Sequence, residues 1–235
     1  MSLFISFEGG EGSGKSTQAQ RLHDRLAAQG HGVTLVREPG GTELGEYLRR
    51  WLKTRNRPLT HQAELFLFVA ARSEVVRRVI RPALAAGKVV IADRYADSTT
   101  AYQGYGRRLS KRVVMSANKM ATGGLWPSLT VLLDAPPELA LARAQVQASF
   151  DVSGQIDRTG RAQESGQRRF EDASAAFHQR VRAGFLALAA QEPRRWLVLD
   201  ASQTEQTLEG QIWKRVAPVV ADSSPPAGGL PLLEP

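Results

Sequence analysis

The segment GGEGSGKST, Gly9 to Thr17, constrains this chain more than any other stretch. It fits the pattern G-x-x-x-x-G-K-[ST] from Gly9 to Ser16, follows an apolar run, LFISF, and precedes an amphipathic pattern marked by Ala19, Leu22 and Leu26. A strand, a glycine-rich turn and a helix in that order aim backbone N–H groups and a helix N-terminus at one point, where an anion is stabilised. Gly9, Gly10, Glu11, Gly12, Ser13, Gly14 and Thr17 therefore form the expected phosphate cradle. Lys15 is expected on the β- and γ-phosphates of a nucleoside triphosphate, and the Ser16 hydroxyl on Mg²⁺. The loop leaves the phosphoryl acceptor open, since GTPases, motors and kinases share it.

The rest of the chain alternates short apolar runs with longer helical patterns, which predicts crossover units feeding a parallel sheet covered on both faces. Five strands are expected, at Leu3 to Phe7, Val33 to Val36, Lys88 to Ala92, Leu129 to Leu133 and Trp196 to Leu199. Helices are expected at Lys15 to Gln29, Glu43 to Lys53, His61 to Ala86, a broken stretch from Ser98 to Thr122, Pro136 to Gln147, Gly166 to Ala190 and Thr204 to Ala217. The fold class is thus α/β, a P-loop NTPase type carried by one domain over residues 1–220. A polar, turn-rich stretch at about 149–166 reads as a mobile lid or as a disordered insertion. Residues 221–235, rich in proline, glycine and serine, read as a disordered tail.

Cysteine is absent, which excludes disulfides, thiolate metal sites and a cysteine nucleophile, and the four histidines have no metal-ligand spacing. No apolar run approaches the ~20 residues of a membrane span, so no membrane partner and a cytoplasmic location are expected. The net charge of +8 must attract something anionic. Its arginines fall in scattered pairs, without the aromatic-rich strand of a single-strand binder, so nucleotide phosphates fit at least as well as nucleic acid.

Downstream of the loop come the segments REPGGT (Arg37 to Thr42), LFVAAR (Leu67 to Arg72), DRYADSTTAYQG (Asp93 to Gly104) and LDAPPELALAR (Leu133 to Arg143). DRY lies at the carboxyl end of an expected strand, where open α/β sheets bind ligands. Arg94 can fork onto a phosphate there and stabilise the charge that develops during transfer. Asp93 could orient a Mg²⁺-bound water, restrain Arg94, or merely pair with an arginine.

Taken in this order after FEGGEGSGKST, these motifs closely resemble the bacterial thymidylate kinase family, from Leu3 to about Val219. The resemblance implies a homodimeric enzyme that moves the γ-phosphoryl of ATP onto dTMP with Mg²⁺, binding no nucleic acid. Under it, Phe68 stacks on thymine, Arg72 reaches the carbonyl edge of the base, and Arg49 and Glu38 bind the phosphate and order the pocket. Thr99, Tyr102 and Gln103 match positions that hold base and sugar, with Tyr102 where a 2′-hydroxyl would project. Glu11 matches a contact on the acceptor's 3′ side, and Arg143 a residue stacked on adenine beside the loop from Ala201 to Gln203. In the family an acidic residue at the Glu11 position goes with basic catalytic groups on the lid, and Arg158 and Arg161 in the lid, with Arg168 and Arg169 at the start of the following helix, are the candidates here. This lid is longer than the family's and reads RRFE from Arg168 to Glu171, so two registers stay open. Other readings are a kinase of the same fold acting on another monophosphate or a deoxynucleoside, and a P-loop protein that binds nucleotide without catalysis.

Overall fold

The computed structural model describes residues 3–53, 59–153, 170 and 173–221. Its strands are β1 (Phe4–Gly9), β2 (Val33–Arg37), β3 (Val89–Asp93), β4 (Leu129–Asp134) and β5 (Trp196–Asp200), each within two residues of its expected bounds. They form one parallel sheet in the order β2-β3-β1-β4-β5. The order reverses direction beside β1, so the crevice above its carboxyl end is where such a sheet takes a ligand.

β1 is buried along its whole length, so its alternating side chains feed two different cores. Ile5 and Phe7 pack with Leu22 and Leu26 of α1 (Lys15–Ala28) and with Leu208, Ile212 and Val216 of α9 (Glu205–Ala221). Phe4 faces the other way, with Val75, Val76, Ile80 and Val90. Behind it on the same face come Ser6 and Glu8, both fully buried, although a buried parallel strand is normally apolar throughout. Ser6 meets Thr130 of β4 hydroxyl to hydroxyl at 3.0 Å, and Glu8 reaches the chain after β3. This polar seam leads straight to the site.

The remaining helices are α2 (Glu43–Lys53), α3 (His61–Val75), α4 (Arg81–Ala85), α5 (Ala96–Thr99), α6 (Lys111–Thr122), α7 (Pro137–Ser153) and α8 (Ala175–Gln191). The long helix expected at His61 to Ala86 is three pieces, because a π-helical turn, Val76–Ile80, joins α3 to α4. A second π-helical stretch, Thr100–Gly106, follows α5 and buries Tyr102 and Gln103. Both are wider than the 3.6-residue period by which sequence patterns are read, which is why neither is visible there.

α8 starts nine residues later than expected. Ser174 caps it by accepting the Phe177 amide, a start signal that the preceding polar run obscures. α7 extends to Ser153, so the first residues of the expected lid are helical. The rest of that lid, with Arg158 and Arg161, as well as Arg168 and Arg169 beyond it and the tail after Ala221, lie outside the described residues.

Candidate active site

The phosphate loop links β1 to α1. Gly14, at φ 89°, precedes the helix without any side-chain cap and no acidic residue occupies the first turn, so the leading amides and the positive end of the helix dipole face outward. Gly12 has φ 71°, and a Cβ there would come within 2.0 Å of the Ala140 carbonyl on α7. Only glycine lets the loop lie this close to α7.

Lys15 is buried and folds back over the loop, donating to the Gly10 carbonyl at 2.5 Å and the Ser13 hydroxyl at 3.3 Å. Burial, with the Arg94 charge adding, lowers its ammonium to about 8 against the pull of Glu11, Asp93 and Glu8. The Ser16 hydroxyl donates to Asp93 at 2.6 Å across the gap between α1 and β3. Two hard oxygen donors side by side suit Mg²⁺, which takes one or two protein ligands and keeps its remaining positions for water and phosphate. Among the described residues no cluster of three or more His, Asp or Glu exists that would hold a metal by itself.

Opposite the loop stands Arg94, a non-glycine residue at φ 72°. Its guanidinium donates to the Gly9 carbonyl (3.0 Å), Ser98 (3.1 Å), Glu11 (2.8 Å) and Tyr102 (3.3 Å). Burial disfavours its charge, yet the Glu11, Tyr102, Asp93 and Glu8 groups outweigh that and keep it firmly cationic. Burial likewise pushes Glu11 upward, but Arg94, Lys15 and the Tyr102 hydroxyl prevail and hold its carboxylate at about 2. Glu11 is thus an anion seated on the arginine, and Tyr102 donates to the same carboxylate oxygen at 3.1 Å.

Arg72 of α3 is 1% exposed and gathers the acceptor side around itself. It donates to Glu38 (2.7 Å), Thr99 (2.9 Å), Asn118 (2.8 Å) and the Tyr95 carbonyl (3.1 Å). Glu38 keeps one buried oxygen without a partner, and its burial raises the carboxyl against the Arg72 charge. Gln103 donates to Glu64 at 2.9 Å, and Arg107 donates to both oxygens of that same carboxylate. Phe68 is half-buried, its ring 6.0 Å from that of Phe170, which in turn stands edge-on to Tyr102 at 5.4 Å. Arg49 donates to the Pro39 carbonyl at 3.0 Å; burial and the neighbouring Arg37 charge lower its guanidinium to about 10. Arg49 lies close enough to Arg94 to feel its charge, so two guanidinium groups stand near each other here.

Glu11, Arg94 and Tyr102 thus form one contact group, and Glu38, Arg72 and Thr99 another. Arg143 stands apart on α7, donating to the Ala201 carbonyl at 2.6 Å and so marking a separate wall beside the loop after β5. Several buried groups escape a reading by motif. Glu8 accepts the Tyr95 amide (2.8 Å) and the Ser98 hydroxyl (2.5 Å), and burial, with Asp97 adding, pushes it up to about 8. Asp97 is held by Arg195 at 2.6 and 3.1 Å, and Asn118 and Glu64 anchor Arg72 and Gln103. The one signal available for Glu8 is a carboxylate at an inward position of an apolar strand, which demands buried partners.

A parallel sheet whose first strand feeds a phosphate loop, with Arg94 and Arg49 gathered beside that loop at the same edge, is the arrangement of a P-loop kinase of phosphorylated small molecules. The thymidylate kinase family model matches residues 7–212. The chain is 48% identical to a thymidylate kinase of Oleidesulfovibrio alaskensis over 92% of its own length and 98% of that protein. It is 47% identical to one of Deinococcus radiodurans over 92% and 96% of the two chains. It also superposes on the crystal structure of thymidylate kinase from Ehrlichia chaffeensis with a TM-score of 0.68 and 30% identity, covering 92% of this chain and 98% of that one. The chain belongs to the thymidylate kinase family.

Proposed function

We propose that the protein phosphorylates dTMP to dTDP with ATP as donor, the phosphate loop taking ATP and the Arg94 and Arg72 contact groups beside it taking dTMP. The observation that carries this reading is the seat of Arg94: four hydrogen bonds fix it against the phosphate loop, with Arg49 nearby and the Arg72 cluster behind. A cation so placed serves an acceptor phosphate lying end to end with the donor.

The loop amides and Lys15 bind the β- and γ-phosphates, and Arg143 with the Ala201 carbonyl borders the adenine. On the acceptor side Arg94 and Arg49 hold the 5′-phosphate, Phe68 stacks on thymine, and Arg72, Thr99 and Gln103 border the base. Glu38 orders Arg72, and Glu11 with Tyr102 lines the sugar, where bulk next to C2′ favours a deoxyribose. The phosphate oxygen of the acceptor is already anionic near neutral pH, so the site requires no strong base. Transfer is governed instead by alignment and charge neutralisation by Lys15, Arg94, the lid arginines Arg158 and Arg161, and Arg168 and Arg169 just beyond the lid. Ser16 and Asp93 would hold Mg²⁺, which when bound neutralises charge on the donor phosphates.

No helix among the described residues is long and apolar enough to cross a membrane, and we place the enzyme in the cytoplasm, without a nucleic-acid partner. The domain spans 1–220 with its lid at about 149–166, and 221–235 is a tail outside it. We also assign it a homodimer. α3 and α6 pack together through Leu65, Val69, Val114 and Ala117 and leave Phe66 60% and Met120 78% exposed, an apolar surface suited to a second copy. The function is tested by ADP release from ATP in the presence of dTMP, dUMP, dCMP or thymidine. dTMP should give the highest kcat/KM, and a higher value with any of the others would reassign the acceptor.

A further inference from the structure

Arg94 occupies a left-handed backbone conformation at the point where two substrates are to meet, and such a residue persists only where its surroundings over-determine it. Its own amide is tied to β1, donating to the Phe7 carbonyl at 3.0 Å. The next amide, that of Tyr95, donates to one oxygen of Glu8 at 2.8 Å. The other oxygen of Glu8 takes the Ser98 hydroxyl at 2.5 Å, and the Ser98 oxygen accepts the Arg94 guanidinium at 3.1 Å. A single buried carboxylate therefore sets both the backbone just after Arg94 and, through one hydroxyl, its side chain.

We propose that Glu8 and Ser98 are positioning residues for the phosphoryl-transfer reaction, a buried relay that fixes the Arg94 guanidinium against the phosphate loop. Neither group faces the open site: Glu8 is fully buried and Ser98 is 8% exposed, so their influence on a substrate must pass through Arg94. Glu11 and Tyr102 grip the outer nitrogen of Arg94 and belong to the ligand-facing wall, where an incoming phosphate competes with them. The inner nitrogen, held by Ser98 and the Gly9 carbonyl, keeps its partners when that exchange occurs. The relay also tolerates a change of protonation at Glu8. Whichever of the two groups donates across the Glu8–Ser98 contact, a lone pair of the Ser98 oxygen stays available to Arg94.

The inference rests on the role given to Arg94 above, and its test separates the two. Steady-state kinetics with dTMP and ATP would be measured for Ser98→Ala, Glu8→Ala, Glu8→Gln and Arg94→Lys, and for Ser98→Ala combined with Arg94→Lys. Loss of a charge-assisted hydrogen bond at the arginine should lower kcat/KM for dTMP by about tenfold in Ser98→Ala, with the KM for ATP held within about twofold. Glu8→Ala should fall at least as far. Glu8→Gln, which keeps an acceptor for Tyr95 and a donor to Ser98, should stay within about threefold of the parent. In the Arg94→Lys background Ser98→Ala should cost less than about twofold, because the group it positions is gone. If Arg94→Lys is impaired while Ser98→Ala is not, or if Ser98→Ala loses as much in both backgrounds, the relay is refuted and the role of Arg94 stands. An Arg94→Lys enzyme with unchanged dTMP kinetics would refute both. Glu8→Ala bears on the relay only if its thermal unfolding stays cooperative; Ser98→Ala, which removes one oxygen atom, decides the matter otherwise.

Discussion

Under the proposed function Lys15 serves the donor and Arg94 the acceptor, a division that is testable one residue at a time. Among the described residues Lys15 donates its hydrogen bonds to the phosphate loop, so Lys15→Ala should reduce turnover by at least ~10³-fold while leaving the dTMP dissociation constant, measured by calorimetry, within about threefold. Equal loss of both would contradict the assignment. Glu8 offers a thermodynamic counterpart. The folded protein keeps a proton on Glu8 that the unfolded chain releases near pH 4.5, since burial lifts the folded carboxyl to about 8. The stability from this linkage is therefore complete below about pH 4.5 and is lost as pH rises through about 8. Relative to Glu8→Gln, the parent should lose unfolding free energy between pH 5 and pH 8, with a steepest slope of ~1.4 kcal/mol per pH unit. Denaturant titrations of the two proteins at both pH values measure this, and parallel pH profiles would show that Glu8 is ionised in the fold.

Among the elements, the phosphate loop was the most legible in the sequence, because its chemistry depends on local order: a strand, a glycine turn, a lysine and a helix within one short stretch. DRY was legible for the same reason, as the end of a strand. Glu8, Ser98, Asn118 and Glu64 were not, because their meaning comes from what lies across the sheet or on another helix; Glu8 and Ser98 are separated by 90 residues in the chain. Phe68 and Gln103 reach the pocket only through family resemblance, and without it a half-buried aromatic on α3 reads as packing. The two π-helical stretches were hidden in turn, since hydrophobic period alone cannot register one extra residue per turn. Element geometry also makes a sharp prediction at Gly12, where an added Cβ has 2.0 Å to the Ala140 carbonyl. Gly12→Ala must push the loop off α7, so ATP affinity should weaken by more than ~10-fold while the melting temperature, which depends mainly on the cores on either side of β1, moves by only a few degrees. Unchanged ATP affinity would mean that the loop moves freely with respect to α7.

For the whole molecule, the proposed function has two anionic ligands converge on one edge of the sheet, the donor against α1 and α7 and the acceptor against α3, α5 and the π-helical stretch after it. Arg49 and Arg94, two of the cations behind the net charge of +8, stand near each other at that edge. If the exposed apolar surface on α3 and α6 joins two copies, sedimentation should return about twice the 25.7 kDa of one chain, and Phe66→Asp with Met120→Asp should return a single one. A monomeric parent would remove the dimer and leave the chemistry untouched. The claim on which everything else depends is that the Arg94 pocket takes a nucleoside monophosphate while the phosphate loop takes ATP. Calorimetric titration with dTMP, alone and in the presence of a non-hydrolysable ATP analogue, tests it most directly. The account predicts one dTMP bound per chain in both titrations, with an affinity that drops at least tenfold in Arg94→Lys; absence of dTMP binding, or dTMP displaced by the ATP analogue, would contradict it.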